Sequence, residues 1–253
     1  MARQSNRQLL PPQGSQEHFA LWDYYHEYVT PERRARLAEV LSQRTRRIAV
    51  VLDDVRQSHN VSAVLRSCDA FGIQDVHVLE PVEPFDPSTR IALGAQRWLT
   101  IRREHGEGAA RRGLAHLKDC DYRIVATVPP GENSVPFDSL DLDRPVAVVF
   151  GNEKKGISAE VAAAADALTT IPMCGFVESL NISVAAALLV HSLSSRLRQT
   201  REDWRLSQGE FDELLFEWTR KSVPAVDLIE QRWLAERRAS SGQHPVPTAA
   251  SVP

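Results

Sequence analysis

The sequence predicts an α/β domain with a mostly parallel sheet flanked by helices. Apolar runs such as 48–52 and 146–150 alternate with segments of helical periodicity, and both runs are apolar at every position. Strands read this way when helices cover both faces of a parallel sheet. With 253 residues, 43% of them hydrophobic and 25% charged, the chain is long enough for one well-buried domain with extensions.

The elements follow in chain order. Thr30 and Pro31 are typical of a helix N-cap and first helical residue, and they predict an arginine-rich helix over 31–47. Strands are predicted at about 48–53, 75–79, 123–128, 146–150 and 168–171, and helices at about 60–71, 106–119, 157–164 and 180–199. After residue 201, apolar residues at helical spacing from Phe211 predict a helix, and a second one is predicted over 226–238.

These elements divide the chain into three parts. Residues 1–46 combine a polar leader with the arginine-rich helix, 47–200 form the sheet domain, and 201–253 form a helical extension with a tail. Roughly the first 16 residues and the last dozen are polar and rich in proline or glutamine, so we expect both ends to be disordered.

Composition narrows the function classes. The net charge of −3 shows no basic excess, so a nucleic acid would have to be held by a local patch. No apolar run approaches roughly 18 residues and the N-terminus lacks the apolar core of a signal peptide, so we expect a cytoplasmic protein with no membrane partner. The cysteine spacing predicts reduced thiols and no metal site. A dehydrogenase is disfavoured because no dinucleotide-binding glycine pattern is present.

Three segments carry small polar residues where a strand passes through a loop into a helix. In the first, Asn60 fits a helix N-cap and Arg66 fits a solvated helical arginine. In the second, Gly151 follows a strand and permits close approach of a ligand, and Glu153 is also able to pair with a nearby lysine. In the third, the polar residues of Ser179-Leu-Asn181 either cap the next helix or belong to a site.

The order and spacing of the three segments resemble a known family. The matching residues are Asn60-x-x-Ala63-x-x-Arg66, Phe150-Gly-x-Glu153-Lys-x-Gly156 and Ile171-Pro-Met-x-Gly175-x-x-x-Ser179-Leu-Asn181. They resemble the SpoU family of RNA ribose 2′-O-methyltransferases and, within it, the TrmH group that acts on guanosine in tRNA. The resemblance covers about residues 31–220 and implies the SPOUT fold with a deep C-terminal trefoil knot, S-adenosyl-L-methionine as cofactor, and a homodimer.

The resemblance also implies a role for individual residues. Methyl transfer to a ribose 2′-hydroxyl, with a guanosine of the tRNA D-loop as expected target, would depend on the catalytic residues Arg66, Asn60, Glu153, Ser179 and Asn181. The cofactor site would contain Thr127, Gly151, Ile171, Met173 and Leu180. RNA would be bound by Arg36, Arg33, Arg196 and Arg198. Because a guanidinium normally stays protonated, we interpret Arg66 as a phosphate ligand that stabilises the developing alkoxide.

Two alternatives stay open. The same chemistry on ribosomal RNA is possible because the motifs report the reaction and the cofactor but not the RNA. The segment before Ile48 is, however, short and helical compared with the RNA-binding domain of many ribosomal members. A knotted RNA-binding protein without catalysis would be expected to lack Arg66 or the Ser-Leu-Asn motif, and this chain has both.

Overall fold

A computed structural model describes residues 10–81, 94–131 and 133–240. The described residues form two compact units, one of residues 42–207 and one that joins 10–41 with 208–240. The disorder expected for residues 1–9 and 241–253 lies outside the described residues. The N-terminal and C-terminal extensions, which are predicted as separate parts, therefore share one unit.

The larger unit contains a parallel sheet. Its strands are β1 Thr45–Asp53, β2 Ile73–Glu80, β3 Thr100–His105, β4 Arg123–Thr127, β5 Ser134–Pro136, β6 Val146–Phe150 and β7 Ala167–Thr170. Among the described residues the sheet has seven strands in the order β3-β2-β1-β6-β4-β7-β5, and each neighbouring pair is parallel. The predicted α/β class with a mostly parallel sheet is confirmed.

Helices cover both faces of this sheet. The described helices of the whole chain are α1 Gln16–His26, α2 Pro31–Leu41, α3 Ser58–Phe71, α4 Ala109–Asp119, α5 Ala159–Ala164, α6 Ile182–Thr200, α7 Gln208–Ser222 and α8 Val226–Ser240. Along β1, Val50 packs with residues of α3 and α6 on one face, and Val51 packs with residues of α4 and α5 on the other. Burying one such valine stabilises the fold by about 2 kcal/mol relative to leaving it exposed.

The arginine-rich helix is shorter than predicted. It ends at Leu41, and β1 begins at Thr45, so the prediction of a helix through residue 47 is wrong. Thr45 N donates to Gly72 O at 2.9 Å, and the buried Arg44 guanidinium donates to Ile73 O at 3.0 Å. Pairing with the neighbouring strand therefore overrides the helical propensity of this segment.

One α-helix and two strands of the described residues were not predicted from the sequence: α1, β3 and β5. β3 and β5 both lie at the edges of the sheet. The strand β3 has the sequence Thr-Ile-Arg-Arg-Glu-His and is only partly buried, and β5 has three residues and ends at Pro136. Edge strands carry polar residues and proline, so their sequences lack the apolar run that marks a central strand.

The smaller unit has its own core. Leu21 and Tyr25 of α1 pack with Phe216 of α7 and Trp233 of α8. The Tyr25 hydroxyl donates to Glu230 Oε1 at 2.5 Å, so the buried carboxylate has a partner. None of the helices in the described parts of the chain has the length and apolar character needed to cross a membrane.

Candidate active site

The loop that follows β6 is closed on itself. Asn152 N donates to Gly156 O at 2.8 Å, and Gly156 N donates to Asn152 O at 2.9 Å. The Asn152 side chain also accepts hydrogen bonds from Lys154 N and Lys155 N, at 2.9 and 3.2 Å. Gly156 has φ +71°, a conformation that glycine adopts without strain.

Gly151 is required by this loop rather than by a ligand. A Cβ at Gly151 would lie 2.3 Å from the carbonyl carbon of Gly156 and 2.4 Å from Ile157 N. The interpretation that Gly151 leaves room for a ligand is therefore not the geometric reason for glycine here. The glycine lets the loop fold back against the end of its own strand.

A cavity of about 530 Å³ lies where the loops after β4, β6 and β7 come together. These three strands are neighbours in the sheet, and ligands of parallel α/β proteins bind at the carboxyl ends of such strands. The residues predicted to bind the cofactor all line this cavity, namely Thr127, Gly151, Ile171, Met173 and Leu180. The cavity is also lined by three of the residues predicted to be catalytic, Glu153, Ser179 and Asn181.

The lining of the cavity suits a nucleoside-sized ligand with an apolar ring system. Its volume is in the ordinary range for small-molecule sites, and Ile171 and Leu180 offer apolar surface. Thr170, which is only 7% exposed, lines the same cavity, and its buried hydroxyl has no hydrogen-bond partner among the described residues. A buried hydroxyl without a partner is unfavourable by about 1–3 kcal/mol, so a polar ligand atom fits here.

A network of side-chain amides joins the three sequence segments. Asn60 Nδ2 donates to Glu153 Oε1 at 2.9 Å and to Gln57 Oε1 at 2.9 Å. Asn181 Nδ2 donates to Asn60 Oδ1 at 3.2 Å. The interpretation of Asn60 as a helix N-cap is wrong, since Gln57 holds that position in α3. Asn60 instead connects the loop after β6, through Glu153, with the loop after β7, through Asn181.

Asn181 is both a cap and a member of this network. Its Oδ1 accepts a hydrogen bond from Ser183 N at 2.9 Å, which makes it the N-cap of α6. Its Nδ2 is left to bind Asn60. The two interpretations that the sequence left open for Asn181 are therefore compatible, because the two ends of one amide serve different partners.

The remaining two predicted catalytic residues do not belong to this hydrogen-bond network. Ser179 is exposed at the cavity. Arg66 is exposed on α3, and it does not belong to the cavity lining. Within the described residues, the Arg66 guanidinium has no hydrogen bond or ion pair. The structure thus groups Asn60, Glu153 and Asn181 directly and leaves the Arg66 guanidinium available to solvent.

The arginines predicted to bind RNA fall into two classes. Arg36 and Arg33 are exposed on α2, and Arg36 pairs with Glu39 at 2.8 Å. Arg196 donates to Phe137 O at 3.1 Å and to Leu140 O at 2.5 Å. Exposed pairs of the Arg36–Glu39 kind are weak, so Arg36 is able to exchange its partner for a phosphate.

Arg198 belongs with Arg196 in the second class. Its guanidinium donates to Gln43 O and Phe71 O, both at 3.0 Å, and it stacks on the Trp204 ring at 5.0 Å. Burial lowers the pKa of Arg198. Arg196 and Arg198 therefore tie segments of the larger unit together, and their role in RNA binding stays a prediction.

The sequence did not predict a role for Gln57 and Thr170, which line the cavity, or for Asp53, which lies outside its lining. Asp53 at the end of β1 is 2% exposed and accepts a hydrogen bond from Ser158 N at 2.7 Å. Burial raises the pKa of the Asp53 carboxyl. The Asp53-Asp54 pair directly follows an apolar run, which is a usable signal for polar residues at a strand end. Gln57 and Thr170 offered no comparable signal.

Comparisons with known proteins agree with this geometry. The family model of the SpoU rRNA Methylase family matches residues 47–191. A tRNA (guanosine(18)-2′-O)-methyltransferase of Borreliella burgdorferi is 36% identical over 204 residues, which are 81% of this chain and 92% of that protein. The Escherichia coli protein of the same name is 37% identical over 194 residues, or 75% of this chain and 82% of that one.

Solved structures resemble the chain as well. The A. aeolicus TrmH/SpoU tRNA modifying enzyme has a TM-score of 0.67 and 30% identity, with 76% of this chain and 98% of that chain covered. An AdoMet-bound rRNA methyltransferase from Sinorhizobium meliloti has a TM-score of 0.53 and 25% identity, with coverage of 66% and 61%. From the match over the sheet domain and these identities, the chain belongs to the SpoU rRNA methylase family.

Proposed function

We propose that this protein transfers a methyl group from S-adenosyl-L-methionine to the ribose 2′-hydroxyl of a guanosine in the D-loop of tRNA. The observation that carries the proposal is the amide network of Asn60, Glu153 and Asn181 at the edge of the cavity. This network contains one residue from each of the three motif segments. Relatives that share 36% and 37% identity are named for methylation of guanosine 18 in tRNA.

In this proposal the cavity holds the cofactor. Ile171, Met173 and Leu180 would contact its adenosine part, and the unpartnered Thr170 hydroxyl would bind one of its polar atoms. The closed loop at Gly151 would form one wall. The cofactor supplies a methyl group that is already activated by a positively charged sulfur, so the protein has to align the reactants and manage one proton.

The residues of the network divide this work. Both N–H groups of the Asn60 amide are used, by Gln57 and Glu153, so Asn60 holds its neighbours in place and does not donate to the ribose. The second carboxylate oxygen of Glu153 would be available to the substrate, since the residue is exposed and lines the cavity. Arg66 would bind the phosphate beside the target ribose and stabilise the negative charge that develops on the 2′-oxygen.

We also propose that the chain forms a homodimer and has the trefoil knot of its family. The support for the dimer is an apolar surface on the larger unit. Phe176 and Val177 in the loop after β7 are 108% and 62% exposed, and Val184 and Leu188, one turn apart on α6, are 48% and 46% exposed. Exposed apolar surface on one unit is a feature of interfaces between copies of a chain. The support for the knot is the similarity to the A. aeolicus structure.

RNA binding would use exposed cations rather than net charge. Arg33 and Arg36 on α2 and Arg66 on α3 are exposed, and phosphate contacts account for most of the salt dependence of RNA affinity. Neutralising Arg33 and Arg36 together should weaken tRNA binding and flatten its dependence on salt by a slope of about 0.7 per lost contact with single-stranded RNA. An unchanged slope would remove these two residues from the interface.

The function is tested by methylation of separate tRNA and ribosomal RNA pools with labelled cofactor, followed by nucleoside analysis. The expected product is labelled 2′-O-methylguanosine from tRNA. A tRNA transcript with adenosine in place of the guanosine at position 18 is the matched control and should remain unlabelled. Label confined to ribosomal RNA would replace the tRNA proposal by the ribosomal alternative.

A further inference from the structure

Gln57 occupies the N-cap of α3 but does not cap the helix. Side chains at this position ordinarily accept a hydrogen bond from a backbone N–H of the first turn, which is why Ser, Thr, Asp and Asn are preferred. The Gln57 side chain makes no such bond. Its Oε1 instead accepts from Asn60 Nδ2 at 2.9 Å. A residue that departs from the local rule in this way indicates a use elsewhere.

Gln57 accepts hydrogen bonds from both the main chain and the side chain of Asn60. The main-chain carbonyl of Gln57 accepts a hydrogen bond from Asn60 N at 2.9 Å, and its side-chain carbonyl accepts from the Asn60 amide. Asn60 is 1% exposed, so its amide depends on the side chains packed around it for hydrogen bonds. The contact therefore matters more than a similar one on an open surface.

The contact also decides which way the Asn60 amide points. With Gln57 and Glu153 as acceptors, the two N–H groups of Asn60 face two oxygens, and Oδ1 faces the N–H of Asn181. A flipped amide would place Oδ1 against those two oxygens and Nδ2 against the Asn181 amide nitrogen. Without Gln57, only Glu153 would oppose the flip on that side.

We infer that Gln57 is a positioning residue for methyl transfer, acting through Asn60 to hold the Glu153 carboxylate at the edge of the cavity. It lines the cavity itself, so the fixed amide and the fixed carboxylate lie at the same place. The inference rests on the proposed function, because it assigns Glu153 and Asn60 to the reacting site. No motif of the family match includes position 57.

The test compares two variants of Gln57. Gln57→Ala removes the acceptor, and we expect the single-turnover methylation rate to fall about fivefold to tenfold, which corresponds to the loss of one hydrogen bond to a buried amide. The affinities for cofactor and tRNA should stay within about twofold, since the effect is on alignment. Gln57→Glu keeps an acceptor oxygen and should recover most of the rate at a pH where the added carboxyl group is protonated.

The pH dependence of the glutamate variant sharpens this test. A carboxylate at position 57 would lie beside Glu153, and two neighbouring carboxylates raise the pKa of one of them. The rate of Gln57→Glu relative to the native protein should therefore rise as the pH is lowered. Gln199→Ala, a substitution of an exposed glutamine at the end of α6, is the matched control and should leave the rate unchanged.

A double-mutant cycle separates this inference from the proposed function. If Gln57 acts through Asn60, Gln57→Ala should slow the Asn60→Ala variant no further. The same non-additivity should appear in the midpoints of thermal unfolding, which do not depend on activity. Additive effects in both measurements, or a Gln57→Ala variant with the native rate, would overturn the inference. If the native protein methylates no RNA, the proposed function fails, and the unfolding cycle still decides whether Gln57 holds Asn60.

Discussion

Replacing Gly151 by alanine tests the closed loop after β6 directly. The added Cβ would lie 2.3 Å from the Gly156 carbonyl carbon, 2.4 Å from its oxygen and 2.4 Å from Ile157 N. All three atoms belong to the main chain, so no side-chain rotation relieves the contact. The loop has to open, and the paired hydrogen bonds between Asn152 and Gly156 would be lost or lengthened.

The expected magnitude follows from these contacts. Two main-chain hydrogen bonds contribute about 1 kcal/mol each, and overpacking of a tight site adds about 1–3 kcal/mol. A total of about 3–5 kcal/mol corresponds to a loss of affinity of at least about a hundredfold, since 1.4 kcal/mol is a factor of ten. This loss of free energy weakens cofactor binding because the closed loop forms one wall of the cavity. If only a small fraction of the protein has the loop closed, the apparent affinity falls in proportion to that fraction.

Two other glycines of the same motifs supply controls. Gly156 has φ +71° and open space around its Cβ position, so Gly156→Ala should lose about 1–2 kcal/mol from backbone strain alone, or about tenfold in affinity. Gly175 has neither a positive φ nor an atom within 4 Å, so Gly175→Ala should bind the cofactor normally.

Calorimetric titration with S-adenosyl-L-methionine measures the three affinities, and thermal unfolding checks that each variant is folded. We expect binding to weaken in the order Gly175→Ala, Gly156→Ala, Gly151→Ala. A folded Gly151→Ala protein with an affinity within about threefold of the native value would refute the argument. So would a Gly175→Ala variant that binds as weakly as Gly151→Ala.

Three further predictions concern single side chains. Arg66→Ala should abolish methyl transfer and leave the cofactor affinity nearly native, because Arg66 lies outside the cavity lining; near-normal turnover would contradict this. Asn181→Ala should weaken both cofactor binding and turnover, since it removes the partner of Asn60 and the cap of α6, and an unchanged calorimetric affinity would argue against that placement. Burial, with a smaller effect of the nearby His116, lowers the pKa of His77 to about 4 from 6.5. The unfolded chain therefore binds the proton more readily, and stability is lost as the pH falls from about 6.5 to 4, by up to roughly 3 kcal/mol. Denaturant unfolding at several pH values should show a smaller loss for His77→Gln, and equal losses would refute the assignment.

The sequence predicts the central part of the fold well and its borders less well. The buried strands β1 and β6 follow from apolar runs, because a strand covered on both faces needs apolar residues at every position. The edge strand β3 and the true end of α2 do not follow from local pattern. At residues 44–47 the partners that override helical propensity come from β2, which starts at Ile73, and such a contact has no signature within the segment itself.

The candidate site shows the same division. Motif spacing predicts that Asn60, Glu153 and Asn181 belong to the site. The sequence also allows each of them a purely structural role, as a helix cap or as the partner of a nearby lysine. Their hydrogen bonds join residues that are 93 and 121 positions apart, and only the folded chain shows that they meet. The part played by Gln57 is invisible in the sequence for the same reason.

By itself, the sequence determined the α/β class, the order of the central elements and the residues that resemble the family motifs, because these depend on local periodicity and short-range spacing. The tertiary structure decided which of those residues share a cavity and which arginines are occupied by main-chain carbonyls. It also decided that residues 10–41 and 208–240 join in one unit. These features depend on where distant segments meet. Packing and hydrogen bonding between such segments do not produce a periodic pattern of residues in the sequence.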